Sequence, residues 1–292
     1  MEKGETKSQN INEKSLSEKK KDFDNIVKMY LESNPVLKKG NLSNELEIRF
    51  GTNYKIGQPI TKIEYDNVVQ RLYHEGFKTN NSSGNQMLRI QNEYINKLNG
   101  KKMISNVRAE ITGSNMIQEY CKTNNLQKLI DMPSTQFNMI KFTQKKPAIS
   151  NNGEIIKKVD MDDFNFRVSF QTEQDYHTHT NLAREILSKW DDSLKIFRAM
   201  NRVRFYHEEL PVFIDLSIVR SSRDKKHVAI PKYTIQEAGV FENIEKYEIE
   251  IEVDNSKVGV NTIYEDPKKL ADVLRKSIRI IMCGIQNTNY PV

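Results

Sequence analysis

The period of apolar and polar positions changes several times along the 292 residues, and each change marks an element. From Asp22 the run DFDNIVKMYLES places Phe23, Ile26, Val27 and Tyr30 on one helical face, the spacing of an amphipathic helix on a core. Leu42 to Gly51 then alternates Glu45, Glu47 and Arg49 with Leu46, Ile48 and Phe50, the two-residue period of a strand with one charged and one apolar face. A second helix is predicted from Thr61, where Thr61 and Glu64 form a capping-box pair and Gly76 supplies the stop; its stripe is Ile63, Val68 and Leu72. Strand-like stretches follow at 86–97 and 104–112, and helical spacing returns between 114 and 131. Strands at 138–146 and 155–172 flank SNNGE, whose Asn-Gly reads as a hairpin tip. A helix near 180–190 precedes strands near 196–208, 211–220 and 244–254, the first two joined by HEELP. The last helix opens on Asp266 as cap with Pro267 in its first turn, and carries Leu270, Val273, Leu274, Ile278 and Ile281 in one stripe.

About eight strands interrupted by helices, without a βαβ rhythm, predict an α+β chain built on an antiparallel barrel or sandwich with helices packed outside. Residues 1–21 are almost devoid of apolar side chains and read as a disordered tail, leaving 22–284 as the folded domain. No apolar run approaches the roughly 18 residues of a membrane span, and MEKGETKSQN lacks the apolar segment of a secretory signal. A cytoplasmic protein with no membrane partner is expected. The net charge of +6 is compatible with an anionic partner but does not select one. Cys121 and Cys283 have no zinc or disulfide spacing and read as buried small hydrophobes. His177 and His179 alternate in DYHTHT without a third ligand nearby, the pattern of an exposed loop.

Two strands far apart in the chain carry the chemistry: ELEIR with Glu45, Glu47 and Arg49, and YEIEIEV with Glu248, Glu250 and Glu252. Taken singly, each reads as an amphipathic strand with its charges in water. Three glutamates on one strand face repel one another, however, and need cations to balance them. Other strands offer cations with the same alternation: Arg167 between Phe166 and Val168, Arg202 and Arg204 around Val203, and Lys141 and Lys145. If the apolar faces pack outward on the helices, the charged faces turn inward and line a polar lumen. Carboxylates there can hold a hard divalent cation, and guanidiniums can clamp phosphate oxygens. Arg108 and Glu110 share a face in VRAEI, and the sequence leaves open whether they join the lumen.

ELEIR, FRVSFQTE, NRVRF, IDLSIVRSS and YEIEIEV, in this order, resemble the triphosphate tunnel metalloenzymes. Within them the similarity is to the metal-dependent RNA triphosphatases of fungal-type and large-DNA-virus (mimivirus-like) mRNA capping systems. The resemblance spans about 45–254 and implies a closed eight-stranded barrel that removes the γ-phosphate of 5′-triphosphate RNA. It also implies Mg or Mn as cofactor, with Glu45, Glu47, Glu248, Glu250 and Glu252 as metal-binding residues. Arg49, Lys141, Arg167, Arg202, Arg204 and Arg220 are implied to hold phosphates, with Asp215 orienting one of the arginines. ELEIR departs from the ExExK of the small-substrate branch, although arginine also reaches phosphate, and bidentately. MCGIQNTNYPV resembles the junction at which viral capping enzymes pass into a guanylyltransferase. By that likeness 285–292 start a linker, and guanylyltransferase and methyltransferase modules share a longer polypeptide; the KxDG nucleophile motif itself is absent here. Two alternatives remain at this point: a tripolyphosphatase, NTPase or polyphosphate polymerase of the same superfamily, or a non-catalytic barrel that binds RNA or protein.

Overall fold

The computed structural model describes residues 15–33, 42–51, 58–133 and 139–285. Its strands are β1 (Leu42–Phe50), β2 (Asn85–Ile95), β3 (Lys102–Ile104), β4 (Val107–Thr112), β5 (Ile140–Pro147), β6 (Val159–Met161), β7 (Phe166–Tyr176), β8 (Lys195–Tyr206), β9 (Val212–Ser221), β10 (Asp224–Lys225), β11 (Val228–Ala229) and β12 (Lys246–Val253). Its helices are α1 (Leu16–Ser33), α2 (Lys62–His74), α3 (Ser114–Thr123), α4 (Leu126–Ile130), α5 (Asn181–Ser188) and α6 (Pro267–Gly284). Eight strands close on themselves in the order β1-β12-β9-β8-β2-β4-β5-β7, and β7 completes the ring by pairing with β1. Every pairing in the ring is antiparallel. Closure leaves no barrel edge exposed.

Alternation within each strand sends apolar residues outward, where the helices cover them. Leu46 and Ile48 of β1, Ile249 and Ile251 of β12 and Val168 of β7 share a cluster with Phe23 and Tyr30 of α1, Val68 and Leu72 of α2, and Leu274 and Ile278 of α6. A second cluster joins Leu88, Ile90, Ile111, Phe142 and Phe197 to Tyr120, Leu126, Ala183 and Trp190. Each fully buried aliphatic side chain contributes about 1.5–3 kcal/mol, so the hydrophobic stability of this fold lies outside the ring and leaves its interior to charge.

Several expectations need correction. The first helix begins at Leu16 rather than Asp22, because Ser15 and Glu18 cap it reciprocally, Lys19 Nζ reaches Asp162 at 3.0 Å and Leu16 packs on the core. The rest of the expected tail and the expected linker, 1–14 and 286–292, lie outside the described residues. In α2 the buried stripe is Tyr65, Val68 and Leu72; Ile63 is 70% exposed, since two residues before Tyr65 is about 200° around the helix. The strand expected at 155–172 is two strands, β6 and β7, parted by a single 3-10 turn, with Asn165 left-handed at φ 50° and β6 folded back on β7. SNNGE closes only the small bridge Ile149 to Ile155, whereas the long partner of β5 is β7. Cys283 is exposed and Cys121 half-buried, because the α6 stripe and the α3 stripe that face the core use other positions.

Gly284 of α6 lets α6 approach α2 closely: a Cβ there would lie 2.5 Å from Val68 Cγ2 and 2.9 Å from Val68 Cα. Gly284→Ala should therefore destabilise by about 1–3 kcal/mol despite alanine's better helix propensity. Urea unfolding checks this; an unchanged or higher midpoint would mean that α2 and α6 do not approach so closely.

Candidate functional site

The outward turn of the apolar faces obliges Glu45, Glu47 and Arg49 of β1, Glu248, Glu250 and Glu252 of β12, and Asp215 and Ser217 of β9 to point inward. Register aligns them: Glu47 opposes Glu252 and Arg49 opposes Glu250, while Glu250 in turn opposes Asp215. Three linked groups result. In the first, Lys145 Nζ of β5 lies 2.6 Å from Glu45, 3.4 Å from Glu47 and 3.3 Å from Glu173 of β7. In the second, Arg204 grips Asp215 bidentately at 2.7 Å and also bonds Glu252, with its guanidinium 4.7 Å from the Phe213 ring. Arg202 bonds the same Asp215 at 2.8 Å, Glu250 at 3.0 Å and Ser217 Oγ at 3.1 Å, and Arg49 joins Glu47 to Glu250. In the third, Glu110 of β4 receives Arg108 at 2.6 Å and lies 2.8 Å from Arg89 of β2; Arg108 extends to Glu173 at 3.2 Å, and Lys141 bonds Asp175 at 2.7 Å.

The predicted residues are not all equal in this arrangement. Arg202, Arg204, Asp215, Arg49, Glu45, Glu47, Glu250 and Glu252 converge. Lys141 faces the lumen in the third group. Arg167, paired across β1 and β7 with Arg49, stands half-exposed nearer one mouth and bonds Asp160 of β6. Glu248 is held by Arg198, away from the first group. Arg220 does not belong: it lies three residues from Ser217, so strand parity sends it to the outer face, where it bonds Phe241 O at 2.8 Å and Glu245 at 2.9 Å. Among the described residues the two histidines form no metal group; their rings stack at 5.7 Å in the loop after β7. Sequence reasoning missed Arg89, Arg198 and Glu173 and left Arg108 and Glu110 open. The signal was present, because Arg89 sits between buried Leu88 and Ile90, and Arg108 and Glu110 between buried Val107, Ala109 and Ile111.

The electrostatics divide the lumen. Burial, opposed by Lys145 but reinforced by Glu47, Glu173 and Glu252, pushes the Glu45 carboxyl up to about 8. Burial raises Glu252 as well, against the pull of Arg204. Against the same desolvation, Arg49 and Arg202 hold Glu250 well below the usual carboxylate range. Burial, opposed by Glu110 and aided by the guanidiniums of Arg108, Arg202 and Arg198, lowers Arg89 to about 10, which still leaves it charged at neutral pH. One wall thus has an excess of carboxylate and another a crowd of cations.

No three acidic, histidine or cysteine side chains among the described residues form a ready metal shell. The donor set nonetheless fits a hard cation: Glu45, Glu47 and Glu252 are oxygen ligands, Glu45 and Glu47 crowd on the single ammonium of Lys145, and Glu47, Glu173 and Glu252 together raise the proton affinity of Glu45. Glu250 fits it less well, since two arginines hold it well below the usual carboxylate range, and Glu248 is held by Arg198; Glu47 and Glu252 each meet one arginine as well, Arg49 and Arg204. Arg49 Nε and Arg89 Nε face the carboxylates of Glu47 and Glu110, whereas Arg198 Nε is buried without a hydrogen bond among the described residues and is a donor an oxyanion could take.

No protein-family model matches the sequence, and no curated protein sequence does. Solved structures do. The RNA triphosphatase domain of a trifunctional mimivirus mRNA capping enzyme superposes with a TM-score of 0.51 at 14% identity, covering 91% of this chain and 97% of that one. A triclinic structure of the mimivirus capping enzyme triphosphatase gives 0.48 at 15% identity, covering 86% and 94%. The S. pombe Pct1 RNA triphosphatase gives 0.44 at 13% identity, covering 99% and 100%. The first of these establishes that the barrel has the triphosphate tunnel fold.

Raising Glu45 from its ordinary 4.5 to about 8 means that the folded chain binds its proton more tightly than the unfolded chain. The contribution is complete below the unfolded value and is lost as pH rises through the folded one. Metal-free wild type should therefore lose more stability than Glu45→Gln between about pH 5 and about pH 8 in chemical unfolding. Equal losses would mean that Glu45 ionises freely.

Proposed function

We propose that this chain is a metal-dependent RNA 5′-triphosphatase that hydrolyses the γ-phosphate of 5′-triphosphate RNA to leave a diphosphate end. The observation that carries the reading is the meeting of two unlike groups inside one closed lumen. Glu252 belongs to both: it opposes Glu47 in register and accepts from Arg204. A polyphosphate laid along this boundary would have guanidiniums on one flank and carboxylate-bound cation on the other.

Glu45, Glu47 and Glu252 would hold the metal, Mg or Mn, whose chemistry is to withdraw charge from the reacting phosphoryl group. Arg202 and Arg204 bind and align the phosphates, and Asp215, 1% exposed and bonded to both, fixes the direction of their forks. Glu250 does the same for Arg49 and Arg202. Arg89 and Arg108 extend the cationic wall, positioned by Glu110. The domain of a trifunctional capping enzyme that shares the fold supports a place in mRNA capping. A guanylyltransferase module, implied by the C-terminal resemblance, would then take up the diphosphate end, and a methyltransferase module the guanylylated product.

Phosphate release from γ-labelled 5′-triphosphate RNA, with and without Mn, is the assay. Glu47→Ala should lower turnover about a hundredfold or more with circular dichroism unchanged, because it removes a cation ligand from a lumen rather than packing from a core. Near wild-type turnover at saturating Mn would remove Glu47 from the site. Arg204→Lys should lose at least about tenfold, since an ammonium cannot reproduce the fork that grips Asp215 and a phosphate together. Full activity would reduce Arg204 to a source of general field. Hydrolysis of tripolyphosphate but not of RNA would favour the small-substrate alternative.

A further inference from the structure

The two mouths of the barrel differ. All ring strands are antiparallel, so the C-terminal ends of β5 and β1 and the N-terminal end of β7 share one mouth, and the β8–β9 turn lies at the other. At that turn Glu208 pairs with Lys78 at 2.5 Å and Lys257 Nζ bonds the carbonyls of His207, Glu208 and Leu210, so the lysines there are already engaged. At the first mouth, the connection from β5 to β6 borders an open cavity of about 670 Å³. Its inner wall is the lumen itself, through Glu47, Arg49, Arg167 and Ser169. Its outer wall is the connection, through Ile155, Lys157 and Lys158, continued by Asp160 of β6.

The connection is anchored rather than loose. Ile156 and Val159 are buried in the core that α1 covers, Ile156 N donates to Ala148 O, and Ile149 bridges Ile155. Anchoring at 156 and 159 leaves Ile155, Lys157 and Lys158 exposed, with Ile155 at 63%. The acids lining the cavity are already engaged: Glu47 pairs with Arg49 and Lys145, and Asp160 with Arg167. No carboxylate among the described residues lies within ion-pair distance of Lys157 or Lys158.

We propose that this cavity receives the first nucleotides of the RNA, with Lys157 and Lys158 contacting backbone phosphates that follow the triphosphate and Ile155 lying against a base or ribose. The proposal rests on the reading of the lumen as a 5′-triphosphate site and adds what distinguishes RNA from free tripolyphosphate. A tripolyphosphate ends inside the lumen, whereas an RNA must leave it. The basic mouth, continuous with Arg49 and Arg167, attracts a polyanion.

The test is the Lys157→Ala/Lys158→Ala variant, measured in the full chain with two substrates. The KM for an RNA oligonucleotide bearing a 5′ triphosphate should rise about tenfold, and the slope of log affinity against log salt should flatten by about 1.4, two contacts at roughly 0.7 each on a single strand. Tripolyphosphate hydrolysis in the same sample should stay unchanged, which also shows that the variant is folded. Unchanged RNA kinetics, or an equal loss on both substrates, would overturn the proposal. If wild type hydrolyses neither substrate, the proposed activity has failed instead, and anisotropy of the labelled RNA decides the mouth alone. Weaker binding by the double variant supports it, and equal binding, or no binding by wild type, overturns it.

Discussion

A charge enclosed by protein is stable only when an opposite charge or a hydrogen bond compensates its lost hydration, and the barrel depends on meeting that condition along its whole lumen. Asp215 does so with two arginines, Glu250 with two, and Glu110 with Arg89 and Arg108. The balance is weakest around Glu45, which has Lys145 alone and shares it with Glu47 and Glu173, themselves also met by Arg49 and Arg108, while Glu252 lies close enough to raise the proton affinity of Glu45 further. The proposed metal site rests on that local crowding of carboxylates. Perturbed carboxyls in a cleft mark functional positions more often than ordinary ion pairs do.

The helices follow from the same constraint. A ring whose interior is charged cannot draw its hydrophobic stability from inside, so its strands need partners on the outer face. Helices α1, α2 and α6 cover one side, and α3, α4 and α5 the other. This division separates stability from the lumen: Leu46 and Ile48 hold β1 in place while Glu45, Glu47 and Arg49, one residue apart from them, line the interior. It also explains how 14% identity suffices to keep the fold, since the alternation must persist but the particular apolar residues need not.

Much of this was legible because parity is strict in strands. ELEIR and YEIEIEV display it without interruption, and the structure pairs them directly. Where the strand was read as a motif rather than residue by residue, the reading slipped. Arg220 was grouped with Asp215 and Ser217, yet an odd spacing from either puts it on the outside. Arg89 and Glu173 were overlooked because their strands lack a run of like charges, although their neighbours alternate just as regularly. What no local pattern encodes is which strands become neighbours. That Lys145 would reach across β7 to Glu45 depends on the order β5-β7-β1, which arises only on closure. The helix onset at Leu16 likewise depends on Lys19 meeting Asp162, a contact between segments 143 residues apart.

The central claim is that the carboxylates of Glu45, Glu47 and Glu252 wait for a divalent cation beside a cationic wall that waits for phosphate. The most direct measurement is thermal unfolding of wild type and of a Glu45→Gln/Glu252→Gln variant, each with and without excess Mn. At about a hundred times its dissociation constant a native-state ligand adds roughly 2.7 kcal/mol, about 5 °C or more for a chain of this size. Wild type should show that rise, with a further one on adding tripolyphosphate, and the variant should lose the metal-dependent part while its metal-free form is at least as stable. An equal Mn-induced rise in both proteins would contradict the account, placing the metal elsewhere and leaving the acidic wall without a function.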